Sequence, residues 1–195
     1  MLRTRGTVLS SALIVCLCCV LAPAVLAKEK KEKPKPVAQY SMAILPPAGA
    51  DDITPSEIFV EINRFTTPSE KAALLSVLAK KGQSAALTAA QNSPVGILRR
   101  AAGLATDILY AMQDSTPDGD RITIVTLRFN VYPNAVMNAD PMIEPFTIAY
   151  FVPTKDAKGK GKIYGAAALA LDKDGKIDIS AYPSATADLA FAKIR

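Results

Sequence analysis

Histidine is absent from all 195 residues. That one absence removes the His-based catalytic triads, the commonest general base near neutral pH and the commonest metal ligand. Cysteine is nearly absent as well: the three present, Cys16, Cys18 and Cys19, all lie in one apolar segment near the N-terminus. If that segment is cleaved, the remaining chain has no disulfide, no thiolate nucleophile and no cysteine ligand for zinc. No serine is followed by lysine three positions later, which excludes the Ser-x-x-Lys arrangement. Neither a Gly-x-Gly-x-x-Gly fingerprint nor a Walker loop occurs. An excess of one charge is also missing from the body of the chain. The net charge is +5, of which the first 27 residues carry +2 and residues 28–36 carry +3, leaving zero for the rest. The basic balance therefore belongs to the leading segments, which argues against a nucleic-acid surface.

Those leading segments read as targeting and tether. Arg3 and Arg5 precede an apolar run over residues 8–21, and Val25-Leu26-Ala27 supplies a small-residue cleavage site. This is the pattern of a secretory signal peptide over residues 1–27, with Lys28 as the mature start. The run is short for a membrane span of about 20 residues. The residues preceding each cysteine (Val15, Leu17 and Cys18) do not suit lipid attachment. Residues 28–50 follow as a charged, proline-rich linker. Its lysines suit either a solvated spacer or a tether to anionic lipid or envelope polymer, and the spacer is the simpler reading.

The clearest structural signal begins at Thr67. Thr67-Pro68-Ser69-Glu70 has the threonine and glutamate of a capping box, with proline at the first helical position. Leu74, Leu75, Val77 and Leu78 then make an apolar stripe at helical spacing. Lys80, Lys81 and Gly82 predict the helix end. A second short helix is expected from Ser84 to Gln91, stopped by Asn92-Ser93-Pro94.

The rest is extended in pattern. Residues 37–50 suit an edge segment. Ile58, Val60 and Ile62 alternate within the first strand. Short strands follow near Ile97 and Ile108, and Pro117-Asp118-Gly119-Asp120 predicts a tight hairpin. The returning strand is expected to place Ile122 and Ile124 on one face and Val125, Leu127 and Phe129 on the other. A proline-rich loop spans residues 132–145. A strand follows over residues 146–152, then a basic hairpin tip over residues 156–162. A strand over 163–171, a turn over 172–176, and strands over 176–182 and 189–194 complete the pattern. Helices grouped beside antiparallel strands predict an α+β domain over residues 51–195. The expected architecture is a curved sheet of about six to seven strands with a helical hairpin on one face.

Candidate chemistry is sparse. Asp172, Asp174 and Asp178 hint at calcium, but Gly175 is misplaced for an EF-hand loop and a lysine-flanked turn accounts for them. Asp107, Asp140 and Glu144 offer carboxylates without a spacing that selects a pair. Lys155, Lys158, Lys160 and Lys162 form a basic cluster that suits anionic lipid or polysaccharide, or equally protects a sheet edge. Arg64 and Arg128, read as strand residues, suit cross-strand pairs, with Glu61 one acidic neighbour. No catalytic, cofactor-binding or metal-binding residue is assigned, and no cofactor is expected.

Arg64-Phe65-Thr66, the run from Glu70 to Leu78 and Gly82-Gln83 together resemble a family of small uncharacterised secreted bacterial proteins. The later Thr-Asp-Ile-Leu-Tyr-Ala, Pro-Asp-Gly-Asp-Arg, Pro-Phe-Thr-Ile and Asp-Lys-Asp-Gly-Lys segments are similar to it too. The resemblance implies one α+β domain behind a signal peptide, and it implies no site residue. The expectation is a secreted or periplasmic, non-enzymatic binding or scaffolding domain of the bacterial envelope. Its partner is undetermined among envelope protein, lipid and polysaccharide, with nucleic acid excluded and no transmembrane span in the mature chain. The alternative is a small apolar-ligand or lipid carrier with a pocket between sheet and helices, for which Phe129, Phe146, Tyr150 and Phe151 are candidate lining residues. An enzyme working through carboxylates alone is a third reading.

Overall fold

In the computed structural model, the described residues are 35–46, 54–101, 103, 105–129, 131, 143–172, 177–178 and 187–195. The expected signal peptide, the linker residues 28–34, Asp140, Asp174 and Gly175 lie outside them. So does most of the loop over 132–145.

Eight strands form a closed antiparallel barrel in chain order. They are β1 (Ala38–Ile44), β2 (Ser56–Ile62), β3 (Gly96–Arg100), β4 (Ala105–Thr116), β5 (Gly119–Leu127), β6 (Phe146–Val152), β7 (Gly159–Ala167) and β8 (Ala187–Ile194). One helix, α1 (Pro68–Gln91), is inserted between β2 and β3. This corrects the expected fold class, a curved α+β sheet of six to seven strands beneath a helical hairpin. The reason lies at the two ends of the sheet. The segment expected as an edge contains β1, which pairs with β2 on one side and with β8 on the other. Pairing the first strand with the last leaves no edge. The barrel thus begins at Ala38, inside residues assigned above to the linker.

Period-two alternation sorts the side chains between two cores. Tyr40, Met42 and Ile44 point inward with Ile58, Val60 and Ile62, and with Ile122, Ile124 and Phe151. The Tyr40 and Phe151 rings meet edge-on inside the barrel, 5.2 Å between centroids. Side chains fill this lumen. Gly159 and Gly161 of β7 make the packing possible. A Cβ on Gly161 would stand 2.6 Å from the Phe151 Cβ and 2.7 Å from its Cα. The outward face carries a second cluster, Leu109, Tyr110, Val125, Phe146, Ile148 and Tyr164, against which Leu74, Leu78 and Leu87 of α1 pack. Phe129, expected beside Val125 and Leu127, joins the inner core instead, because β5 ends at Leu127.

The hairpin tip expected over residues 156–162 is also shorter than its glycine spacing suggested. Lys160 and Lys162 lie inside β7, paired with Val152 and Tyr150. At the β4–β5 turn, Gly119 takes φ 120°, a value that favours glycine.

Candidate functional site

The site is assembled by the connection from β2 to β3. After Ile62 the chain leaves the barrel, and Thr66 ties it to β4: its N–H donates to the Ala111 carbonyl at 2.9 Å, and its hydroxyl accepts from the Ala111 N–H at 3.0 Å. Thr67 then caps α1. Its N–H donates to the Glu70 carboxylate at 2.9 Å, and its hydroxyl accepts from the Glu70 N–H at 3.3 Å, completing the capping box.

α1 carries one break. Gly82 departs from helical geometry, with φ 78° and ψ −172°, so the helical run breaks at the residue where the first helix was expected to end, and it resumes without an intervening loop. The consequence for shape is large. A straight helix of 24 residues would span about 36 Å. Yet Arg64 reaches both ends: Nη1 donates to Glu70 Oε2 at 2.7 Å, and Nη2 donates to Ser93 Oγ at 2.8 Å. The helix is therefore bent back at Gly82 into two arms, and Arg64 latches their open ends. The bend is pinned as well. The Gln83 side-chain amide donates to the Leu169 carbonyl and accepts from the Leu169 N–H, both at 2.9 Å. It substitutes for a strand partner on the segment following β7.

Between these fixed points the arms do not close on the barrel. A cavity of about 170 Å³ remains, lined by Ala73, Leu74 and Val77 from one arm, Ala89 and Ala90 from the other, and Leu109 and Tyr110 below. Small side chains on the arms leave the space. A β-bulge makes the floor: the register of β4 against β5 shifts between Ile108 and Tyr110, so Leu109 and Tyr110 both join the outer cluster. Among α1 residues only Ala86 is fully buried, so the arms are lightly held.

Polar groups sit at the mouth. Glu70 is held down at about 2, chiefly by the Arg64 hydrogen bond and then by those from Thr67, and it is an anion throughout the physiological range. Burial, helped by Asp114, pushes the Tyr110 phenol up to about 12. Its hydroxyl lies 3.1 Å from the Met112 sulfur. The cleft thus offers an apolar body, a neutral phenol and a charged latch, and no activated nucleophile. Comparison with protein-family models, with curated proteins and with solved structures finds no match. The geometry alone speaks for the site.

Few of the residues singled out from sequence meet here. Arg64 does, paired with Glu70 and not with Glu61, which Arg99 engages from the adjacent β3. Arg128 follows β5, outside the strand, and its N–H donates to the Pro145 carbonyl at 3.1 Å. The proposed aromatic lining does not form this cavity: Phe129 and Phe151 face the lumen, Phe146 is wholly buried in the outer core, and Tyr150 borders a groove along β7 and β8. Asp107 lies on β4 and Glu144 precedes β6; neither borders the cleft. Asp172 and Asp178 belong to no metal-binding group of three among the described residues. Lys158, Lys160 and Lys162 border the same open groove as Tyr150. Gln83 and Ser93 were missed as contacts, because Gln83 figured only in the Gly82-Gln83 resemblance and Ser93 only in the Asn92-Ser93-Pro94 stop.

Proposed function

We propose that the protein is a binding domain, exported to the bacterial envelope, that takes a small apolar group in the cleft between the two arms of α1 and the outer face of β4. The observation that carries this reading is the hollow itself. The helix is fixed at its bend by Gln83 and at its open ends by Arg64, yet alanines leave the middle empty. Enclosed apolar cavities of about 150 Å³ accept a molecule the size of benzene, and this cleft, open at its mouth, has a similar volume. The volume here suits one ring or the end of an alkyl chain. The lumen is no competitor, since its own side chains occupy it. Export rests on the signal-like first 27 residues.

The test is native mass spectrometry of protein purified without detergent, alongside thermal unfolding with added benzene. An adduct lost on denaturation, or a midpoint that rises with benzene as mass action requires, is the expected result. Ala90→Phe, which fills the cavity, should remove either effect while the protein stays folded. A bare mass together with a midpoint indifferent to benzene would overturn the reading.

A further inference from the structure

A second feature lies at the end of the barrel where β1 begins and β8 ends. Large apolar side chains exposed to solvent are few among the described residues: Val37, Ile97, Ile143, Phe191 and Ile194. Four of these stand at this end: Val37, Ile97 at the start of β3, Phe191 and Ile194. The Val37 N–H donates to the Ile62 carbonyl at 2.7 Å, beside the start of β1. Ile194 pairs with Tyr40. Phe191 stands three residues before Ile194 on β8, with 63% of its surface exposed.

Phe191 is also held in a costly conformation. Its φ is 56°, in the left-handed region that bulky side chains rarely adopt. It sits in a β-bulge, for the register of β8 shifts against both β1 and β7 around residues 190–192. The bulge turns an aromatic ring out of the wall, where regular pairing would carry the alternation through. Strain of this kind collects at functional positions.

Cations surround these apolar groups. Lys35 leads into β1. Lys193 is bridged to Thr154, and Lys155 follows at the β6–β7 turn. All three are exposed, and none has an ion-pair partner among the described residues. Three carboxylates stand at the same end: Asp156 is ion-paired with Lys158 at 2.8 Å, Asp120 accepts from the neutral Gln113 and Ser115 at 2.9 Å each and keeps its charge, and Asp118 is exposed at the β4–β5 turn. Apolar side chains projecting from a rim of lysines match the interface of an anionic bilayer, where rings sit below the headgroups and cations among them.

We propose that this rim docks on an anionic lipid surface, with Phe191 inserted and Lys35, Lys155 and Lys193 at headgroup level. The chain contains no tryptophan, so a single introduced indole reports its own surroundings. Phe191→Trp should shift its emission to the blue, and be quenched by brominated lipid, on phosphatidylglycerol–phosphatidylcholine vesicles. Pure phosphatidylcholine or high salt should abolish the effect. Ile143→Trp, beside the opposite rim, should stay unquenched in the same full-length chain. Lys155→Ala and Lys193→Ala should each weaken binding about fivefold. Equal quenching at both indoles, or none at Trp in place of Phe191, would overturn the proposal. So would a blue shift that appears with rising protein concentration alone, which would assign the patch to a contact between copies of this chain.

Discussion

Glu70→Gln isolates the charge in the Arg64 latch. The carboxyl of Glu70 is lowered from 4.5 to about 2 by Arg64 and Thr67. Taken at full value, that displacement corresponds to about 3 kcal/mol, at about 1.4 kcal/mol per pH unit. The side chains of Glu70 and Arg64 are 37% and 38% exposed, however. Solvent screens such a pair, and about 1 kcal/mol is the expected contribution. Glutamine still accepts from the Thr67 N–H, since it serves in capping boxes. Glu70→Gln should therefore lose about 1 kcal/mol at neutral pH, and Glu70→Ala about 2 kcal/mol because the cap goes as well. The pH dependence follows from the sign of the shift. A depressed carboxyl stabilises the fold above its unfolded value, 4.5, and that stability is lost as pH falls towards 2. Urea unfolding followed by circular dichroism across this range should show wild type and Glu70→Gln converging with acid. A gap that stays constant with pH, or no gap at neutral pH, would refute the assignment of the latch to the charged pair.

Gln83→Ala should cost about 2 kcal/mol, because the Leu169 N–H and carbonyl lose their partners in a half-buried place; hydrogen exchange at the Leu169 amide should accelerate, and unchanged protection would show that the bend is not pinned there. Gly161→Ala should cost about 3 kcal/mol, at the upper end of overpacking, since the added methyl meets Phe151 and the Tyr150 backbone, which cannot rotate away. A urea midpoint within error of wild type would show that β6 and β7 can part without loss.

The sequence disclosed local structure better than closure. Thr67 and Glu70 announced the helix start because a capping box is read from neighbours in the chain. The β4–β5 turn was legible in Asp118-Gly119 for the same reason. Closure depends on residues 38–44 meeting residues 187–194, a pairing that no local pattern encodes. The β1 segment, brief and followed by Pro46-Pro47, looked like an edge. The cleft was half legible. A pocket between helix and strands was anticipated as one alternative, but with the wrong lining. Aromatic residues drew attention as ligand contacts, while their size made them core. The cavity came instead from residues that fill little space, Ala73, Ala89 and Ala90, and from a bulge at Leu109 and Tyr110 that alternation alone would have denied.

Closure also changes what the lysines mean. On an open sheet, Lys160 and Lys162 would serve to discourage strand addition at an exposed edge. The barrel has no such edge, so that explanation lapses for β7. Lysines remaining on a closed wall need only solvation, whereas those at the rim stand beside Val37, Phe191 and Ile194, which solvation disfavours. A purely soluble surface would gain by replacing Phe191 with a polar residue, and again by relieving its left-handed backbone. Phe191→Gly removes both burdens together. If Phe191 serves only the fold, that variant should be less stable than wild type, because it loses a packed ring. If Phe191 serves an outside surface, the variant should be more stable by about 1 kcal/mol, the strain of a non-glycine residue at positive φ. Its affinity for anionic vesicles should fall at the same time. Stability and binding moving in opposite directions would separate a functional ring from a structural one.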